Sequence, residues 1–158
     1  MNAFLSLADP PPGGRVLVVD DHEGMRVLCA VMLHRLGYEP VTAAGTLEAL
    51  EELETTRYDA VISDYDMPGA DGIDLLRRVR ARGAPVPFIL MSAALPDAVA
   101  REALGAGATL AVEKSEVIES LPRLLERVLP ARRVAPRDRV RSRERARPAA
   151  LAGRVDAA

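Results

Sequence analysis

Of the chain's 21 basic residues, 20 are arginine; the one lysine, Lys114, closes the apolar run Leu110-Ala-Val-Glu-Lys. An ammonium used once, at such a place, is a candidate for one specific ionic contact. Three earlier apolar runs also stop on polar groups: Val16 to Val19 on Asp20-Asp21, Ala60 to Ser63 on Asp64, and Phe88 to Met91 on Ser92. Carboxylates, a hydroxyl and an ammonium gathered at one point supply the chemistry of a metal-assisted phosphoryl acceptor. Clustered carboxylates raise one another's pKa unless a cation neutralises them. Mg2+ does so through oxygen ligands at about 2.0–2.1 Å and usually adds a phosphate oxygen. Each residue has a plainer reading: Asp20-Asp21 as a helix cap, Asp64 to Gly72 as a turn around Pro68-Gly69, Ser92 as a loop hydroxyl. Their joint placement at successive run ends favours the chemistry.

Short β-branched runs near 15–20, 38–42, 59–63, 87–92 and 108–113 alternate with helical patterns near 22–36, 45–56, 71–82, 96–105 and 116–130. Strands apolar on both faces belong in a buried parallel sheet. Strict alternation with helices predicts a doubly wound α/β domain. In such sheets the ligand crevice lies beyond the carboxyl ends of the strands, where Asp20, Asp21, Asp64, Ser92 and Lys114 fall. Asp71 is placed to cap the third helix, with Ile73, Leu76 and Val79 facing inward. Gly107 is placed to end the fourth in a left-handed turn. Pro122 interrupts the last helical pattern: either that helix starts late, near Ser120, with proline in its first turn, which is the favoured reading, or it is kinked there.

At 49% apolar with no tryptophan, the core must be built from Val, Leu, Ile and Ala. The single Cys29 excludes an intramolecular disulfide, suits a reducing cytoplasm and falls on a core stripe with Met25 and Met32. No apolar run approaches the roughly 18–20 residues of a membrane span, and no signal peptide is expected. Residues 131–158 hold nine arginines against three acids (+6), while the rest carries twelve bases and twenty acids (−8). The expected organisation is a loose leader over 1–14, one domain over 15–130 and an arginine-rich, disordered tail over 131–158.

These residues bring the chain to a family. Asp20-Asp21, Met25-Arg26, Gly45-x-x-x-Ala49-Leu50, Asp64-x-x-Met-Pro-x-x-Asp-Gly72, Ser92-Ala93, Gly107-Ala108 and Lys114 stand 43, 28 and 22 residues apart at the steps Asp21 to Asp64 to Ser92 to Lys114. Over about residues 15–130 the chain resembles the receiver domain of two-component response regulators. The resemblance implies a flavodoxin-like, five-stranded parallel sheet of order 2-1-3-4-5 flanked by five helices. It implies that Asp64 is the phosphoacceptor and that Mg2+ is held by Asp20, Asp21, Asp64 and the backbone carbonyl of Asp66, with Asp20 acting partly through water. Lys114 would pair with Asp64 at rest and with a phosphoryl oxygen afterwards, and Ser92 would donate to another. The implied partners are a sensor histidine kinase or a histidine phosphotransfer protein, and a downstream protein read through helix 4, strand 5 and helix 5.

Three positions depart from the family pattern. Ser115 follows the lysine where proline is usual, and Ala111 stands where an aromatic switch residue is common. Asp66 adds a carboxylate that would either strengthen Mg2+ binding or position hydrolytic water. Three other functions compete with a signalling receiver. One is salt-sensitive nucleic-acid contact through the arginines, and another is a degenerate receiver used as a docking module. The third is a phosphatase, because Asp64-x-Asp66 is similar to the nucleophile motif of haloacid-dehalogenase-type enzymes. In those enzymes the acidic pair comes last, so only self-phosphorylation and slow autodephosphorylation are expected here.

Overall fold

The computed structural model describes residues 13–130. The expected tail over 131–158, and the leader up to residue 12, lie outside the described residues. Five strands, β1 (Arg15–Val19), β2 (Glu39–Ala43), β3 (Ala60–Asp64), β4 (Phe88–Ser92) and β5 (Leu110–Glu113), alternate with α1 (Glu23–Arg35), α2 (Thr46–Thr55), α3 (Gly72–Ala81), α4 (Asp97–Gly105) and α5 (Lys114–Val128). All strand pairs are parallel, in the order β2-β1-β3-β4-β5. This is the doubly wound sheet the alternation predicted. Among the described residues no helix is long and apolar enough to cross a membrane.

Side chains on a strand alternate between faces, and two cores follow. Val16, Val18, Ala60, Ile62, Ile89, Met91 and Val112 pack with Cys29 and Leu33 of α1 and with Val117, Leu121 and Leu124 of α5. Leu17, Val19, Val61, Phe88 and Leu90 pack on the other face with Ala49 of α2, Leu75 and Leu76 of α3 and Ala103 of α4. Carried one step past the strands, the same parity puts Asp20, Asp64 and Lys114 on the α1/α5 side and Ser92 on the other. Three of the four strand-end groups are thereby aimed at one another.

Two helix ends behave as their residues require. Asp71 accepts from the backbone N–H of Ile73 and Asp74, and Asp74 returns a bond to the Asp71 N–H, forming a capping box. After α4, Gly107 takes φ +103°. Of the two readings of α5, the kink forms rather than the favoured late start. The helix begins at Lys114 and breaks at Ser120, whose φ of −135° and ψ of 21° are non-helical. Proline disfavours helical geometry in the residue before it, and Ser115 imposes no such limit on Lys114. Pro122, lacking an N–H and crowding the carbonyl four residues back, forces the break two residues earlier. A second helical segment then restarts with proline in its first turn.

Candidate functional site

β1 and β3 are neighbours in register, Val18 beside Ile62 and Val19 beside Ser63, so Asp20 and Asp64 leave the sheet side by side. Both are buried, 0% and 1% exposed. Between them lies Lys114, its Nζ 2.9 Å from Asp20 Oδ2 and 3.2 Å from Asp64 Oδ2. The lysine expected to pair with Asp64 is thus shared, with the shorter contact to Asp20. One ammonium faces two buried carboxylates, and the local charge is negative.

Electrostatics follow from that count. Burial and the neighbouring Asp20 charge push the Asp64 carboxyl above the usual carboxylate range, against the pull of Lys114 and the Asp66 N–H. Burial acts against the charged form of Lys114, but its hydrogen bond to Asp20 and the charges of Asp64 and Asp20 outweigh it, raising its pKa. Beneath them Cys29 is buried in the core, where desolvation and the Asp20 charge raise its thiol pKa to about 11. That is a packing residue, not a nucleophile.

The β3–α3 loop fixes Asp64 from the other side. The Asp66 N–H donates to Asp64 Oδ1 at 3.2 Å. Gly72 packs so tightly that a Cβ there would collide with the Asp64 carbonyl oxygen and lie 2.7 Å from Leu90 Cδ1. Only glycine lets α3 start this close to the end of β3. Ser92, buried at the end of β4, donates to the Ala94 carbonyl at 2.8 Å and stands 3.2 Å from Asp66 Oδ2. Its hydroxyl is engaged within its own loop rather than with Asp64, and the Asp66 carboxylate is turned toward it.

Beyond the Lys114 ion pairs to Asp20 Oδ2 and Asp64 Oδ2, no other group of the fold engages the buried oxygens Asp20 Oδ2, Asp21 Oδ1 and Asp64 Oδ2 in a well-formed hydrogen bond. Buried oxygens in that condition suit a hard cation that takes oxygen ligands, so these residues fit Mg2+. Ligand atoms of Asp20, Asp21, His22 and Asp64 all lie within 4.8 Å of one another. His22 was not among the residues singled out from sequence; its position next to the acidic pair was the available signal. Arg26 also contributes, donating to the Asp20 carbonyl at 2.7 Å. A separate groove, lined in part by Tyr38, Tyr58, Pro87 and Leu125, lies at the opposite, amino-terminal edge of the sheet and takes no part.

A family model described as "Response regulator receiver domain" matches residues 16–126. The chain is 30% identical over 118 residues to sporulation initiation phosphotransferase F of Bacillus subtilis, covering 75% of this chain and 95% of that one. It is 35% identical over 118 residues to the sensory/regulatory protein RpfC of Xanthomonas campestris, covering 70% of this chain but only 16% of that protein. Among solved structures, response regulator protein TrrA of Thermotoga maritima, in complex with Mg2+ and BeF, superposes with a TM-score of 0.65 at 32% identity, over 73% of this chain and 98% of that one.

Proposed function

Because the chain belongs to the response regulator receiver domain family, we propose that Asp64 accepts a phosphoryl group from a phosphohistidine and that the product alters protein–protein contacts. The observation that carries this is the buried Asp64 carboxylate, 3.2 Å from Lys114 Nζ and beside the carboxylates of Asp20 and Asp21. An Asp64 oxygen forms a bond to phosphorus as the phosphorus–nitrogen bond breaks, and the imidazole leaves with the bonding pair. Such transfers need in-line positioning and positive charge around the moving oxygens more than acid–base groups.

Lys114 offers a compact, rotatable ammonium for one phosphoryl oxygen. Ser92 leaves the Ala94 carbonyl and donates to another. Mg2+, held by Asp20, Asp21, Asp64 and the Asp66 carbonyl, would supply charge neutralisation on the transferring group. The similarity to TrrA in its Mg2+ and BeF complex supports that assignment. Donors are a sensor histidine kinase or histidine phosphotransfer protein, in keeping with the phosphotransferase and sensory relatives. The chain turns over no substrate beyond slow hydrolysis of its own acyl phosphate. A reducing cytoplasm suits its lone thiol. The output face is α4, β5 and α5, where Leu104 and Ile118 stand 51% and 43% exposed.

Intact mass after incubation with Mg2+ and acetyl phosphate tests the reading. One added phosphoryl group is expected on the wild type, and none on Asp64→Asn or in chelator. No adduct from small donors or kinases would leave a docking module in its place.

A further inference from the structure

We propose that the groove at the amino-terminal edge of the sheet is a docking site for this chain's own residues 1–12, with Phe4, Leu5 and Leu7 as the side chains that fill it. The groove lies at the edge opposite Asp64, so the inference stands apart from the phosphoryl chemistry.

At about 1270 Å³, the groove is lined by Leu36 and Tyr38 between α1 and β2, Leu53 and Tyr58 of α2 and the turn after it, Val86 ahead of β4 and Leu129 at the end of α5. Leu36 is 39% exposed, and the other five are only partly buried against the two cores. A contiguous apolar surface left half covered marks a place where another segment packs.

The point where the described chain begins selects the segment. Gly13 itself lines the groove. Its N–H donates to the Gly37 carbonyl at 3.1 Å, and the Glu39 N–H donates to the Gly14 carbonyl at 2.8 Å. A Cβ on Gly13 would lie 2.7 Å from the Gly37 oxygen and 2.9 Å from Tyr38 Cδ1, so the backbone enters β1 pressed onto the groove's own tyrosine. Leu7 stands six residues ahead of Gly13, and an extended chain covers at most about 3.3–3.6 Å per residue, giving a reach of up to roughly 20 Å. Pro10, Pro11 and Pro12 stiffen the connection and reduce the entropy lost on docking.

Charge separates this occupant from the other segment that adjoins the groove, residues 131–158 beyond Pro130. The groove's lining carries three arginines and three acids, a balanced set that offers no attraction to a segment of net charge +6. Residues 1–12 have Asp9 as their one charged side chain and gather Phe4, Leu5 and Leu7 within four positions. Phe4 is one of two phenylalanines in the chain, and the other, Phe88, is wholly buried. The Phe4 ring suits a groove that presents Tyr38 and Tyr58.

Paramagnetic broadening in the full chain tests this. Cys29, the one native cysteine, is buried, so a spin label attaches at Ser6→Cys alone. The amide signals of Leu53, Tyr58 and Val86 should be lost to broadening, and should return when Phe4→Ser, Leu5→Ser and Leu7→Ser are combined with the label. Intact signals with the native leader, or equal broadening with the serine leader, would overturn the proposal. So would broadening that passes from a labelled chain to an unlabelled one in a mixture, which gives the groove to a second copy. Broadening that arises instead from a label at Ala149→Cys would overturn it in favour of the tail.

Discussion

Two buried carboxylates, Asp20 and Asp64, share the ammonium of the partly exposed Lys114. Their mutual repulsion is a cost the fold carries until positive charge arrives. Because the folded pKa of Asp64 lies above its unfolded value, the folded chain binds a proton there more readily than the unfolded chain. Stability from this group therefore falls as pH rises from the unfolded pKa through the higher folded one, and the penalty is complete only above the latter. Asp64→Asn removes it and keeps the Asp20–Lys114 pair. In chelator at neutral pH the variant should melt roughly 2–6 °C above wild type, and the gap should narrow as the pH is lowered; a lower melting point at neutral pH would count against the argument. The strand-end residues were legible because a period of two and an abrupt stop in apolarity mark them. The preference of Lys114 for Asp20 was not, since it depends on which strands are neighbours. His22 was hidden by a position that reads as an ordinary exposed helix start.

Elements hold these groups through close approach as much as through bonding. The start of α3 is pinned by the Asp71 capping box and by Gly72 against the backbone of Asp64. Gly72→Ala pits a methyl group against a carbonyl that cannot move without shifting Asp64. Overpacking of this kind costs about 1–3 kcal/mol. Thermal denaturation should show that loss, and phosphorylation from acetyl phosphate should fall well below wild type even where the protein remains folded. Wild-type stability and labelling would mean the loop has slack that the packing does not suggest. The Asp71 cap was readable from local sequence, as was the turn at Gly107. The start of α5 was not: Pro122 announces a break, but the helical state of Lys114 to Glu119 follows from Ser115 standing where it imposes no restriction, and from Val117 entering the α1/α5 core.

Across the molecule, the question is how an event at Asp64 reaches the surface. Both helices of the proposed output face border β5, but they are held unequally. α5 buries Val117, Leu121, Leu124, Leu125 and Val128. α4 buries Ala103 alone, and its ion pair to α3, Arg77 to Glu102 at 2.8 Å, is exposed, so it adds little. Elements with few buried contacts move at low cost. Ser92 leads into α4 through Ala93 to Pro96, and withdrawing its hydroxyl from the Ala94 carbonyl frees that loop. With Ala111 rather than an aromatic ring on β5, no large side chain is available there to carry the change to α5. Phosphorylation should therefore act as a population shift concentrated in α4. Amide resonances recorded with and without Mg2+ and beryllofluoride, a phosphoryl mimic, should move most over residues 92–105 and less over 114–128. Ser92→Ala should shrink the α4 shifts while those beside Asp64 persist. Changes centred on α5, or undiminished in the variant, would place the coupling elsewhere than the β4–α4 loop.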